Sequence, residues 1–135
     1  AGTLSINPDI AVDSGRSLFL DEDRIYTDYK VMLEKEAAMP ADKRIDFVSI
    51  VTPNSVHFDP AIMALEKGFN VVVEKPITFN LEQAKELKAK VDETGLTLLL
   101  CHTYTGYPMV KQAKQLIKSG TLGKVKYMLN IRRAG

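Results

Sequence analysis

A carboxylate, an ammonium group and a proline follow one another at the end of an apolar run. The run is Asn70-Val71-Val72-Val73, and the residues after it are Glu74, Lys75 and Pro76. Three consecutive β-branched residues are typical of a strand buried in the middle of a sheet. Ligands of open α/β sheets collect at the carboxyl ends of the strands. Glu74 and Lys75 therefore lie where the chemistry of such folds is usually done; the alternative is a strand end with two solvated charges.

A second strand end carries Thr52, Pro53 and Asn54. The strand before it is predicted over residues 45–51, which are apolar except at two positions. Because parallel strands end at the same edge of a sheet, we expect Thr52 and Lys75 to share one crevice. His57 opens the helix that follows this turn, where it could cap the helix or face a bound ligand, and both alternatives stay open.

Strands and helices alternate through the middle of the sequence. Residues 58–65 have apolar side chains at the i, i+3, i+4, i+7 spacing of an amphipathic helix, and Gly68 follows as its C′ residue. Asn80 and Gln83 form a capping-box pattern for a second helix, which Gly95 ends. Another apolar strand is predicted over 96–101. This order predicts a parallel sheet with right-handed crossovers.

The flanking segments add further predicted elements. Residues 1–6 are typical of the tail of a strand, and a helix from Pro108 is ended by Gly120. The remaining predictions are a poor helix over 10–18, a short strand over 24–27, a helix from a cap at Thr27 or Asp28 to Glu36, and a half-exposed strand over 124–129.

Length and composition place the chain among single globular domains. It has 135 residues, of which 45% are hydrophobic and 26% charged, with a net charge of +1. This balance favours neither nucleic acid nor a membrane surface as a partner, and no apolar run reaches the ~20 residues of a membrane span. Cys101 is the only cysteine, so we expect a reducing compartment, the cytoplasm, and a buried thiol. No metal site is predicted.

Several motifs together resemble the Gfo/Idh/MocA family of NAD(P)-dependent oxidoreductases, of the glucose-fructose oxidoreductase and inositol dehydrogenase type. Glu-Lys-Pro at a strand end is the most specific short motif of that family. The resemblance implies a Rossmann-like parallel sheet with helices on both faces, and it covers nearly the whole chain after residue 24. The segments that carry it are 46–57, 64–68, 72–76 and 108–125, the last with Gly-Thr-Leu-Gly-Lys-Val at 120–125.

The resemblance also implies roles for individual residues. Lys75 would lie beside the nicotinamide ribose and the substrate as the catalytic residue, and Glu74 would help to hold the ribose and the lysine. Ser5 would stand where the ribose 2′-hydroxyl is read; an acidic residue there would favour NAD, and a serine leaves NADP open. The other residues expected to contact the cofactor are Thr52, Pro53, Asn54 and His57.

One loop departs from the family pattern. Many relatives carry an Asn and an Arg-Phe pair after the strand that ends at Cys101, whereas this chain has Thr103 and Thr105-Gly106. This difference favours a subfamily with its own substrate. His102 and Tyr104 are candidates for the substrate side, His102 either as a proton donor or as a structural strand-end histidine.

Two parts of the family fold are not found in the sequence. It contains no G-x-G-x-x-G, the loop that places pyrophosphate on a helix N-terminus. The C-terminal α+β substrate domain of the family would begin near Gly135. We therefore expect residues 1–135 to be part of an NAD(P)-binding domain whose first βα unit is missing, inactive alone and associating as a homo-oligomer.

The function expected from these observations is oxidation or reduction of a sugar, polyol or related small molecule with NAD or NADP. One alternative is a catalytically silent relative that binds the cofactor as a sensor or scaffold. A flavodoxin-like signalling receiver is a third possibility, but it would need an acidic cluster where the strand ends carry Thr52, Lys75 and His102.

Overall fold

Three parallel strands form the sheet of the protein. The computed structural model describes residues 2, 3 and 7–127. The strands β1 (Phe47–Ile50), β2 (Asn70–Glu74) and β3 (Leu98–Cys101) lie side by side in that order. Both pairs are parallel, with Val48 opposite Val71 and Val73 opposite Leu100. The predicted parallel sheet is confirmed, and β1 and β3 are each shorter than predicted.

The helices begin and end at residues suited to those positions. The Asp28 side chain accepts from the backbone N–H of Lys30 at 2.7 Å, which settles the cap of the second helix. Gly68 and Gly95 have φ of 84° and 67°, left-handed values that suit glycine after a helix. The described helices are α1 (Pro8–Ser17), α2 (Tyr29–Ala37), α3 (Phe58–Glu66), α4 (Leu81–Thr94) and α5 (Pro108–Lys118).

One face of the sheet packs on helices. Val71 and Val73 alternate with half-buried neighbours along β2 and are themselves almost fully buried. They share a core with Leu65 of α3 and Leu87 of α4. On β1 and β3, by contrast, Phe47 and Leu99 are 55% and 51% exposed. The fold is thus the predicted Rossmann-like α/β arrangement, with three parallel strands and helices packed around them.

The chain forms two compact units, divided between Cys101 and His102. The sheet and α1 to α4 belong to the first unit. The second contains a short 3-10 turn, Thr103–Gly106, followed by α5. Residues 124–127 do not form the predicted strand, and its last two residues lie outside the described residues.

The side chain of Asn70 connects the segments that lead into the other two strands. Its Nδ2 donates to the carbonyl oxygen of Asp46 at 3.4 Å, just before β1. Its Oδ1 accepts from the backbone N–H of Thr97 at 2.9 Å, just before β3. One amide group therefore joins the amino-terminal ends of all three strands.

A buried carboxylate joins α2 to the chain on either side. Glu36 is fully buried, and Arg24 donates to it from Nε at 3.0 Å and from Nη2 at 2.6 Å. The Tyr26 hydroxyl and the backbone N–H of Ile45 each donate to it at 3.1 Å. Among the described residues, the predicted strand over 24–27 is represented by one parallel bridge, between Gly2 and Ile25, because Arg24 itself ends a 3-10 turn, Glu22–Arg24.

The same cluster shifts two pKa values. Burial alone would raise the pKa of the Glu36 carboxyl, but the hydrogen bonds from Arg24, Ile45 and Tyr26 outweigh burial and hold that pKa below its usual range. Burial, and then the hydrogen bond to Glu36, raise the pKa of Tyr26 to about 12. The folded protein therefore keeps Glu36 ionised and Tyr26 protonated at neutral pH.

We predict that Glu36→Gln lowers the free energy of unfolding by about 3 kcal/mol at neutral pH, because it leaves a partly buried guanidinium without its counter-charge. Urea unfolding followed by circular dichroism measures this loss. The contribution of Glu36 is fully present above the ordinary carboxyl pKa of about 4.3 and disappears as the pH falls through the lower folded value.

The variant should therefore approach the wild type in stability as the solution is made more acidic. Glu22→Gln is the matched control, because Glu22 also pairs with an arginine, Arg16 at 2.8 Å, but on the exposed surface. Equal losses in the two variants would contradict the importance of the buried cluster.

Candidate functional site

The ends of two neighbouring strands meet at one edge of the sheet. Ile50 lies opposite Val73 in the parallel pair of β1 and β2. Thr52 and Lys75 each follow that pair by two residues, so they lie at the same edge, as predicted. The structure thus brings together the two polar turns that the sequence singles out.

The buried side chain of His57 connects these two turns. Its side chain is fully buried, its Nδ1 lies 2.8 Å from the carbonyl oxygen of Pro76, and its Nε2 lies 2.8 Å from that of Thr52. The residue begins α3, yet its side chain forms no capping hydrogen bond. The capping alternative is therefore wrong, and both ring nitrogens face backbone oxygens of the turns.

Glu74 and Lys75 form the end of β2 itself. Glu74 is half-buried, and its Oε2 accepts from the backbone N–H of Lys75 at 3.2 Å. Lys75 is exposed, and the peptide bond between Lys75 and Pro76 is cis. An ammonium group is thereby presented on a turn whose backbone is held on one side by Glu74 and on the other by His57.

An open groove runs between the two turns. Asn54 and Ser55 on one wall belong to a 3-10 turn, Asn54–Val56, that follows the end of β1. Pro53 and Asn54 are exposed on this wall, where the turn backbone can contact a bound ligand. The residues lining the groove are Pro53, Asn54, Ser55, Pro76, Thr78 and Phe79.

Thr78 and Phe79 are residues of this site that the sequence reasoning missed. Thr78 is buried, and its hydroxyl donates to the carbonyl oxygen of Asn80 at 2.9 Å. Asn80 in turn caps α4 by accepting from the backbone N–H of Gln83 at 2.9 Å, and the Gln83 side chain accepts from the N–H of Phe79 at 3.1 Å. Their position between Pro76 and a predicted helix cap was the signal that could have indicated them.

Ser5, His102 and Tyr104 are the remaining predicted site residues. Ser5 falls outside the described residues. His102 and Tyr104 belong to the second unit, where the His102 carbonyl oxygen accepts from Thr105 Oγ1 at 2.7 Å and the Tyr104 ring packs edge-on against Tyr107. Their substrate-side role stays a prediction. Cys101 is half-buried rather than buried and ends β3 opposite Glu74.

Residues 2, 3 and 7–127 contain neither a metal-binding cluster nor a membrane-spanning helix. Within that part of the chain, no three His, Cys, Asp or Glu side chains are grouped so that they could hold a metal ion. Nor does any helix found there have the length and apolar character needed to cross a membrane.

A parallel α/β sheet with polar turns at the carboxyl ends of its strands is the arrangement of a dinucleotide-binding domain. Residues 12–102 match the model of the Gfo/Idh/MocA oxidoreductase family, which is described as having an NAD-binding Rossmann fold. The chain belongs to this family of NAD-binding oxidoreductases, as its motifs indicated.

Relatives with named activities and solved structures agree with this assignment. The chain is 42% identical over 86 residues to a scyllo-inositol 2-dehydrogenase (NAD(+)) of Bacillus subtilis (strain 168), which is 64% of this chain and 25% of that protein. It is 32% identical over 126 residues to the uncharacterized oxidoreductase YfiI of the same strain, 93% of this chain and 32% of that protein.

Among solved structures, an inositol dehydrogenase homolog from Azotobacter vinelandii, complexed with NADH and myo-inositol, superposes with a TM-score of 0.81 at 36% identity. The match covers 92% of this chain and 32% of that one. The chain therefore spans about a quarter to a third of the length of these relatives.

We predict that Asn80→Ala destabilises the protein by about 1 kcal/mol, because the N–H of Gln83 loses its acceptor at the start of α4. Asn80→Gly should lower the free energy of unfolding by only a few tenths of 1 kcal/mol, since glycine is also a favourable N-cap residue. Urea unfolding of both variants measures the difference. A glycine variant as unstable as the alanine variant would contradict a capping role.

Proposed function

We propose that this chain forms the cofactor-side wall of the active site in an NAD(P)-dependent dehydrogenase of a sugar, polyol or related carbonyl or alcohol. The observation that carries the proposal is the placement of Lys75 on a held turn, at the same sheet edge as Thr52. The relatives named as acting on scyllo-inositol or complexed with myo-inositol support a polyhydroxylated substrate.

The groove at this edge fits one half of a dinucleotide. Its walls combine polar side chains with the apolar rings of two prolines and Phe79, a mixture that suits a ribose and an adjoining ring. Thr52, Pro53 and Asn54 would line the ribose from the β1 side, and Glu74 would hold it from the β2 side. When bound, the nicotinamide ring supplies or accepts the hydride.

Lys75 is the residue of this chain that would act on the substrate. Its ammonium group donates a hydrogen bond to the substrate oxygen and stabilises the negative charge that develops there during hydride transfer. His102 and Tyr104 remain proposed substrate-side residues, with His102 as a candidate proton donor. Ser5, in the segment expected to read the ribose 2′-hydroxyl, leaves both NAD and NADP open.

The proposal also covers the cellular compartment and the association state of the protein. A single cysteine fits the reducing conditions of the cytoplasm. The half-exposed Phe47 and Leu99 on one face of the sheet favour association between copies, so we propose a homo-oligomer.

We predict that Lys75→Ala, made in a dehydrogenase containing this chain, lowers kcat by about 10²–10³-fold, the usual effect of losing one preorganised donor. The measurement is the change in nicotinamide absorbance with a panel of inositols and sugars. Lys85→Ala, which removes an exposed lysine from α4, is the matched control and should turn over normally.

Two results would count against this proposal. Unchanged turnover in the Lys75 variant would remove the lysine from the mechanism. A wild-type protein that binds NAD or NADP but oxidises none of the panel would favour the catalytically silent alternative.

We also predict that the 135-residue chain alone binds NAD and NADP with a dissociation constant of about 1 mM or weaker, about −4 kcal/mol. Most pyrophosphate affinity in such folds comes from the backbone N–H groups of a glycine-rich loop, and no G-x-G-x-x-G occurs in this sequence. Isothermal titration with both cofactors measures the affinity. A micromolar value would show that other groups replace the loop.

A further inference from the structure

The two hydrogen-bond partners of His57 determine how many ring protons it needs. Both partners, the backbone oxygens of Thr52 and Pro76, can only accept, and each lies 2.8 Å from a ring nitrogen. A neutral imidazole has one N–H, so in either tautomer the other nitrogen would direct a lone pair at a carbonyl oxygen. Only the imidazolium has a donor for each oxygen.

We propose that His57 is a positioning residue for Lys75, an imidazolium that donates from both ring nitrogens and so holds the turn after β2 against the turn after β1. The bridge is defined by the ring of His57 and the carbonyl oxygens of Thr52 and Pro76. Its effect on catalysis rests on the function proposed above, whereas the bridge itself is a feature of the fold.

The two hydrogen bonds of His57 must offset the cost of burying its charge. The ring is fully buried at the start of α3, where the helix dipole opposes a cation. Two charge-assisted hydrogen bonds at 2.8 Å oppose that cost, and they are stronger than bonds between neutral groups.

The bridge matters for catalysis because of where it attaches. Pro76 follows Lys75 directly, so the carbonyl oxygen that His57 binds is one residue from the proposed catalytic ammonium group. Thr52 carries the other end, on the turn proposed to line the cofactor. A displacement of about 1 Å between reacting groups can cost about 10²-fold in rate. The bridge thus sets the separation between the lysine and the cofactor wall.

The proton count can be measured directly by NMR. The chain has two histidines, so His102→Gln leaves His57 as the single source of ring signals in a sample labelled with ¹⁵N-histidine. At neutral pH we expect both ring nitrogens of the folded 135-residue chain to show a bound proton. One protonated and one unprotonated nitrogen would overturn the imidazolium bridge.

Kinetics test the positioning role. In a dehydrogenase containing this chain, His57→Leu should lower kcat by about 10–100-fold while KM for the substrate changes less, because the turn carrying Lys75 is no longer held. His57→Gln, whose amide can still donate, should recover part of that loss. If the leucine variant does not fold, the glutamine variant and the NMR spectrum still decide the matter.

A control separates positioning from general destabilisation. Leu87→Ala removes a fully buried side chain from α4, and its folded fraction should retain wild-type kcat. Equal loss of kcat per folded molecule in the Leu87 and His57 variants would overturn the positioning role. Should the wild type show no dehydrogenase activity, the proposed function fails, and the NMR result still accepts or rejects the bridge.

Discussion

The burial of one face of β2 is the constraint on which the rest of the structure depends. Val71 and Val73 are almost fully buried, and β2 has a parallel partner on each side. Parallel partners require crossovers, which are right-handed, so α3 and α4 cover the same face. The carboxyl ends of the strands consequently lie at one edge, so Thr52 and Lys75 share that edge.

Local signals in the sequence were sufficient for most of the elements. The valine run, Gly68 and Gly95, and the Asn80 cap each specify structure through the conformational preferences of a few adjacent residues, and each was found as predicted. The segment 24–27 was predicted less well. Arg24 ends a 3-10 turn instead of starting a strand, and among the described residues Ile25 pairs with Gly2 through one parallel bridge.

Some residues of the candidate site could likewise be predicted from the sequence, and others could not. Lys75 and Thr52 could be placed from the sequence, because their positions follow from strand ends in a parallel sheet. The hydrogen bonds of His57 could not be predicted from the sequence. Its partners are backbone oxygens 5 and 19 residues away, and only the folded chain brings them together. The buried cluster around Glu36 was not predicted, for a similar reason. A glutamate on an amphipathic helix is most often solvated, and sequence alone does not mark the one that is buried.

Asn70 and His57 act at opposite ends of the same strands. The asparagine joins the starts of β1, β2 and β3, and the histidine joins the chain just beyond the ends of β1 and β2. A slip of one residue in parallel pairing would turn Val71 and Val73 outward, and it would also break the polar contacts at both ends. The observed alignment is therefore favoured by apolar burial in the middle of the strands and by side-chain hydrogen bonds at both of their ends.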